Sequence, residues 1–572
     1  MSRSKELAFP KVLKRVKLRE QNEAMADKIA YTFSLSPLTS RILSARGFEP
    51  GDSLKNYLVP TLRSGLPDPS TLLNLDKAAD AILEYGQADK GIAIACDFDV
   101  DGLSGGSLVF DFLKRAGIRS RVYVPDRFSE GYGLNERIIR DVKKHGFDLL
   151  LTIDYGTTNK TELNLARELG LFSVVVDHHH VAENPPSDIF VNPHQEGCGF
   201  ADGTMCAAGL AWYLIVALNK RLKKEELNPK HFLDLACLGT ICDMVPLKGP
   251  NRIIARRGLE NLANTERAGL IALKNVIGVN GSVSCSNVSF GIGPRLNAAG
   301  RMVSGELVIE LLTTKDAAKA EKLAKKLNKL NAERQATEEE VKEKALEQLA
   351  QKSEIPSGIV AWDKEFHTGV IGIVAQRMVE RFYRPSAVMG FDQGKYKGSV
   401  RGIKGISVVE LLSSVSDHLI QFGGHDGAGG FSLEEDKVEK FAEAFNEACT
   451  ERLKTVETEP SIEADTECEL AELTPAIVKE LRRFEPLGMG NPGPQLLLRR
   501  LEVKAIKSLK NAHIKASLSD GKNVISGMMW RTKEHPALQV GNTVDVVGKA
   551  DLNTFFGHTE LQMNLQAVET AA

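Results

Sequence analysis

"GIAIACDFDVDGLSGGSLVFDFLKRAG", residues 91–117, decides the fold. It opens as an apolar run, passes three acids at alternate positions (Asp97, Asp99 and Asp101), and continues as a helix stopped by Gly117. A continuous apolar run is the mark of a strand covered on both faces, because crossover helices bury a parallel sheet from both sides. The pattern then repeats. "SRVYVPD" predicts a strand, "LNERIIRDVKKHG" a helix stopped at Gly146, "FDLLLTIDYG" a strand, "KTELNLARELG" a helix stopped at Gly170, and "LFSVVVDHHH" a strand. Such alternation predicts an α/β fold with a doubly wound, mainly parallel sheet.

Outward from this core, helical patterns dominate from about 205 to 315. Residues 316–352 hold no Gly or Pro and are rich in Lys, Glu, Ala and Leu, which predicts a long helix between domains with its charges on a solvated face. A second α/β pattern occupies about 357–450, and acidic "ETEPSIEADTECEL" reads as a crossing. From about 495, short strands separated by turn residues predict a small β-barrel. Residues 1 to about 75 read as short helices and loops.

The chain has 572 residues, enough for two to four domains. A net charge of −2 neither demands nor excludes nucleic acid, so any basic surface must be local. Eight cysteines without a CxxC pair fit reduced thiols. The basic N-terminus lacks the apolar stretch of a secretory signal, and no run has the apolar length of a membrane span. The expectation is a soluble, cytoplasmic protein.

In parallel α/β sheets ligands bind beyond the C-terminal ends of strands. Alternation puts Asp97, Asp99 and Asp101 on one side if the strand persists that far. Three like charges so close raise their own pKa values unless a cation neutralises them. The next two strand ends deliver Asp154, in "TIDYG", and Asp177, His178, His179 and His180, in "VVVDHHH"; the helical run of "LACLGTICDMVPL" delivers Asp243. Carboxylates mixed with imidazole suit Mn²⁺, Mg²⁺ or Zn²⁺, and the oxygen-rich balance favours Mn²⁺ or Mg²⁺. Each stretch alone has a plainer reading: solvated acids in a surface turn, or at Asp243 a helix-terminal turn. Cys237 and Cys242 sit in apolar surroundings that favour buried, inert thiols over ligands.

Anion-holding candidates lie further on. "GIGPRLNAAGRM" brings Arg295, Asn297 and Arg301 among glycines, either a structural turn or a phosphate contact. "KGSVRG" offers Ser399 and Arg401, and "QFGGHDGAGGF" reads as a Gly-rich loop with Gly424 and His425, whose backbone N–H groups can approach an anion. The tail carries Arg499, Arg500, Lys504, Lys507, Lys510, Lys515 and His513, with Trp530, Phe555 and Phe556 as candidates for base stacking.

"CDFDVDG", "TIDYG", "DHHH" and "CDMVPL", in this order, resemble the four motifs of the DHH phosphoesterase superfamily, and within it the RecJ family of single-strand-specific DNA exonucleases, from about residue 35 to 570. The resemblance implies an N-terminal extension (1–75), a DHH phosphoesterase domain (76–315), a linking helix (316–353), a DHH-associated α/β domain (354–455), and a linker plus OB-fold barrel (456–572). It implies two divalent ions, Mn²⁺ or Mg²⁺, roughly 4 Å apart as two-metal hydrolysis requires. Asp99 and Asp101 would be ligands and Asp154 would bridge. His178 and Asp243 would complete one sphere and Asp97 would support the other. His179 would face the scissile phosphate, and Asp177 would orient the histidines. Arg295, Asn297, Arg301, Ser399, Arg401, Gly424 and His425 would hold substrate.

The implied reaction is hydrolysis of single-stranded DNA, 5′ to 3′, to 5′-mononucleotides in repair and recombination, in a groove that admits one strand. The implied partners are single-stranded DNA, a single-strand-binding protein and a helicase, with no membrane. The chain departs from the family at Gly402, where a second serine is usual, and at Asp426, where a small residue follows the histidine. Two other readings stay open: a phosphoesterase acting on short oligonucleotides, whose members are typically shorter and lack the terminal barrel, and a non-catalytic replication scaffold, which expects lost carboxylates. Both the barrel pattern and the carboxylates are present.

Overall fold

A computed structural model describes residues 13–63, 65–127, 129–509, 512–555 and 558–571. Five strands build the sheet that the opening stretch predicts: β1 (Ile92–Cys96), β2 (Ser120–Tyr123), β3 (Leu149–Ile153), β4 (Phe172–Val176) and β5 (Ile189–Val191). Their order is β2-β1-β3-β4-β5, and every pairing is parallel. The crossovers are α1 (Val100–Ala116), α2 (Glu136–Lys144) and α3 (Lys160–Glu168).

Every residue of β1 and β3 is buried. Ile92, Ile94, Leu149 and Leu151 face one core, which α1 shares with α4 (Ala207–Leu222) and α5 (Leu233–Cys242). Ala93, Ala95, Leu150 and Val175 face the other, with α2 and α3. Neighbouring strand residues therefore feed two cores, which is why the strands read as unbroken apolar runs. Gly117 takes the left-handed conformation that ends α1 (φ 82°), a position a side chain would strain.

The chain folds as two compact units. The first comprises Pro50–Ala332 together with Arg482–Gly493. The second comprises the residues up to Glu49, Glu333–Leu481 and those from Pro494. The long helix, α8 counting α6 (Gly249–Ala263) and α7 (Gly293–Met302), spans Ala317–Ala350. Its charges are not all solvated. Arg334 donates to Glu338 at 2.7 Å with both side chains about nine-tenths buried, and Arg377 donates to the other Glu338 oxygen at 3.1 Å.

The second unit holds a five-stranded sheet, ordered Gln421–His425, Ala428–Leu433, Lys395–Arg401, Ser386–Asp392, Ile359–Asp363, and antiparallel except for its last pair. It also holds the barrel: Leu496–Leu509, His513–Ser519, Val524–Met529, His558–Thr570 and Thr543–Phe555, closed by pairing of the first with the last. Closure leaves the barrel strands without a free edge. The N-terminal residues join it. Arg15–Leu18 pairs in parallel with Ser461–Ala464, and Arg46 grips Asp465 with two bonds, Nε–Oδ1 at 2.9 Å and Nη2–Oδ2 at 2.7 Å.

All eight cysteines are unpaired, as reduced thiols require. Among the described residues no helix is long and apolar enough to cross a membrane.

Candidate metal centre

The strand β1 ends at Cys96, before the first acid. Alternation along a strand therefore does not aim the three acids: Asp97 directly follows the strand, its N–H donating to Ile153 O at 3.3 Å, and a helix start places Asp99 and Asp101. Asp99 is the N-cap of α1, accepting from the backbone N–H of Asp101 at 2.9 Å and of Gly102 at 3.2 Å. That capping satisfies N–H groups a helix leaves open at its start, and it turns the chain out of the strand. Asp101 follows in the first turn. Its two oxygens accept from Ala207 N (2.7 Å) and Ala208 N (2.9 Å), the open start of α4. Asp97 is buried, and its Oδ1 has no hydrogen-bond partner.

Asp154 follows β3 in the left-handed region (φ 71°), held by donation from its N–H to Val176 O at 3.1 Å. Asp243 caps the C-terminus of α5. His178 follows β4, and its Nε2 lies 3.2 Å from Asp154 Oδ1, 3.8 Å from Asp101 Oδ2 and 3.9 Å from Asp243 Oδ2. Three groups of donors converge within 4.8 Å: Asp101, His178 and Asp243; Asp97, Asp99 and Asp154; and Asp154, His178 and His179.

Burial, then the charge of Asp99, pushes the Asp101 carboxyl up to about 6 and that of Asp97 well up. Burial, then Asp101 and Asp99, pushes Asp243 up to about 9. Burial, then the surrounding aspartates, raises Asp154 as well. Burial holds His178 down at about 4, so its ring is neutral and free to donate a lone pair. Buried carboxylates that destabilise one another, an orphaned Asp97 oxygen and a neutral imidazole together form a donor set for hard divalent cations such as Mn²⁺ or Mg²⁺.

Asp177 works behind this set. Its Oδ2 accepts from Thr157 N (3.0 Å) and Oγ1 (2.6 Å), and its Oδ1 from His178 N (2.7 Å) and His179 Nδ1 (2.7 Å). Burial would lower the pKa of His179, but the bond to Asp177 and its charge win and hold the ring protonated up to about 9. His180 turns elsewhere, toward the ring of His194.

Helix α7, the stretch that the sequence leaves open between a structural turn and a phosphate contact, packs against the acidic loop. Asn297 Oδ1 accepts from Val100 N at 3.2 Å, and a Cβ on Gly300 would lie 2.7 Å from Phe98 O. Arg295 donates to Gly291 O (2.7 Å) and Asn328 Oδ1 (3.0 Å), and Arg301 is half-buried in the last turn. Two neighbours escaped the sequence reading. Tyr132 donates to Asp154 O at 3.1 Å and stands 3.3 Å from His179 Nε2. The Arg127 guanidinium covers the Phe98 ring at 5.0 Å and lies in the field of Asp97 and Asp99. The one local signal was an aromatic between two glycines beyond a strand end, in "EGYG".

Residues 91–240 match the DHH family N-terminal domain, residues 356–451 the DHHA1 domain, and residues 464–567 the RecJ OB domain. The single-stranded-DNA-specific exonuclease RecJ of Bacillus subtilis strain 168 is 33% identical over 539 residues, 93% of this chain and 68% of that protein. Its counterpart from Haemophilus influenzae is 32% identical over 567 residues, 95% of this chain and 97% of that protein. The chain belongs to the RecJ family. The crystal structure of RecJ from Thermus thermophilus in complex with Mn²⁺ superposes with a TM-score of 0.84 and 30% identity, covering 98% of this chain and 80% of that one.

The remaining RecJ-type candidates lie on the second unit. Arg401 Nη1 donates to Ser399 Oγ at 2.8 Å. The stretch read as a Gly-rich loop is a hairpin: His425 pairs with Ala428, which pairs with Arg401, and Gly424 pairs with Gly429. Its Asp426-Gly427 turn explains the mistaken loop, because glycines here serve close strand approach as well as the turn; a Cβ on Gly424 would lie 2.4 Å from Ala428 O. Both departures from the family have local structural reasons. A Cβ on Gly402 would lie 2.9 Å from Val408 Cγ2, and Asp426 accepts from Ser407 Oγ at 2.8 Å.

The barrel's basic strand is partly neutralised. Arg499 lies between Glu467 (2.8 Å) and Asp545 (2.9 Å), and Lys504 pairs with Glu502. Lys507 and Lys515 are register partners on adjacent strands. Trp530 is half-exposed beside the His513 ring. Lys510, Phe556 and the side chain of Phe555 lie outside the described residues.

Proposed function

We propose that the chain is a metal-dependent exonuclease that degrades single-stranded DNA from the 5′ end to 5′-mononucleotides, serving repair and recombination in the cytoplasm. The observation that carries this is the convergence of five carboxylates and His178 at the C-terminal rim of one parallel sheet. In this reading Asp97, Asp99 and Asp154 would hold one divalent ion, Mn²⁺ or Mg²⁺, and Asp101, His178 and Asp243 would hold the second. When bound, such a pair lowers the pKa of water and neutralises charge on the leaving oxygen.

The chain's own residues do the rest. Asp177 keeps His179 protonated and aimed, so His179 presents a cation to the scissile phosphate. Tyr132 fixes both His179 and the Asp154 backbone. Asn297 fixes the start of α1 and brings Arg295 and Arg301 alongside as guanidinium forks for the strand backbone. Ser399, Arg401, Gly424 and His425 form the second phosphate-holding set. The barrel supports a long strand as substrate, since OB folds track single-strand backbones. The test is product analysis on 5′- and 3′-labelled single strands with Mn²⁺ or Mg²⁺. Early release of 5′-labelled mononucleotide is expected; early release of the 3′ label would reverse the polarity.

A further inference from the structure

The turn that carries Asp243 is braced by a stretch of chain far away in sequence. Arg252 lies on α6 and is 2% exposed. Its Nη1 donates to Phe484 O (2.9 Å) and Pro486 O (3.3 Å), and its Nη2 to Arg483 O (3.0 Å) and Glu485 O (2.8 Å). One buried cation thus gathers four successive carbonyls of the Arg482–Gly493 segment, while the Tyr57 ring lies 3.9 Å from the guanidinium. The Tyr57 hydroxyl donates to Asn491 Oδ1 at 2.8 Å, and Asn491 Nδ2 donates back to Phe484 O and Pro486 O. The loop so closed reaches the turn after Asp243. Leu247 N donates to Met489 O at 2.7 Å, and a Cβ on Gly490 would lie 2.9 Å from Pro246 Cβ. Met244, directly after Asp243, is held at φ 63°, a conformation that a non-glycine residue keeps only where its surroundings impose it.

We propose that Arg252 is a positioning residue for the metal centre: through the 482–493 loop it sets the Met244–Lys248 turn and so the place of the Asp243 carboxylate. This rests on the reading of Asp243 as a ligand. It also explains why a segment between two stretches of the second unit folds with the first. Truncating the guanidinium takes a donor from four carbonyls and loosens the loop against which the turn is held. Supports of this kind are worth about 10- to 100-fold in metal affinity.

The test is Mn²⁺ titration calorimetry on the full chain carrying Arg252→Met, Gly490→Ala or Asp243→Ala, with turnover measured over a range of Mn²⁺. Gly490→Ala leaves the Arg252 guanidinium in place but strains the loop at its left-handed turn (φ 67°) and presses on Pro246, so it decides the matter if Arg252→Met does not fold. Both Arg252→Met and Gly490→Ala are expected to weaken one of two Mn²⁺ binding events about tenfold or more. Added Mn²⁺ should restore their turnover, with KM for the strand unchanged. Two tightly bound ions in Asp243→Ala would overturn the reading of Asp243 as a ligand. Loss of one ion in Asp243→Ala, with wild-type isotherms for both other variants, would overturn the positioning role alone.

Discussion

His178 Nε2 stands 3.2 Å from Asp154 Oδ1, and each of these residues belongs to two of the three converging donor groups. They come from the ends of adjacent strands, β3 and β4, whose pairing runs through Ile153 and Val176. The pair is therefore fixed by the sheet itself, and the other donors assemble around it.

Asp154→Asn tests that centrality. Asparagine tolerates the left-handed backbone at this position, so the fold should persist. Turnover should fall about 10³-fold or more, as when a group that stabilises developing charge is lost. Mn²⁺ at about 100 times its Kd should stabilise the wild type by about 2.7 kcal/mol, and that thermal shift should shrink in the variant. Undiminished turnover would exclude the shared role.

Gly300→Val tests the packing of α7 on the acidic loop. The new side chain would meet Phe98 O and push α7 away, taking the Asn297 bond to Val100 N with it. A displacement near 1 Å should cost about 100-fold in kcat, while circular dichroism stays that of the wild type. A kcat within twofold of wild type would show that α7 does not position the site.

Arg267 lies between Asp111 (2.6 Å) and Asp234 (3.1 Å), all three buried. Arg267→Met should cost about 3 kcal/mol in denaturant unfolding, because two buried carboxylates lose the cation they share, leaving Asp111 with Arg115 and Asp234 with the Thr265 hydroxyl. The same network makes stability depend on pH. Burial would raise the Asp111 carboxyl, but Arg267 and Arg115 outweigh it and hold its pKa below the ordinary value. A depressed carboxyl contributes stability above its unfolded pKa and loses it as pH falls through the folded one. The stability gap between wild type and Asp111→Asn should therefore be constant near neutrality and narrow below about pH 4. A gap that widened there would contradict the sign.

Lys507 and Lys515 stand side by side on adjacent barrel strands, outside the ion pairs that hold Arg499 and Lys504. Lys515 stands 3.5 Å from Glu560 with its side chain 40% exposed, so that contact ties it down weakly. Lys507→Glu with Lys515→Glu should raise KM for long strands and reduce the salt dependence of binding by about one unit of log–log slope per lost phosphate contact. Hydrolysis of di- to tetranucleotides should not change. Equal losses on both substrates would argue against the barrel as a strand holder.

By itself, the sequence determined the alternating strands and helices, the long helix, the barrel strands and the identity of the chemical residues. These follow from local rules: an apolar run buried on both faces, a glycine that ends a helix, and acids at the C-terminal ends of parallel strands. The acids are legible although the strand stops at Cys96, because a strand end and a helix start point into the same crevice. The tertiary structure alone decided which donors share a site, that Asn297 bonds Val100 across 197 residues, that "QFGGHDGAGGF" pairs as a hairpin, and that Arg482–Gly493 folds onto Arg252. Those outcomes rest on contacts between residues far apart along the chain. Hydrophobic periodicity records whether a face is buried, but it does not record what buries it.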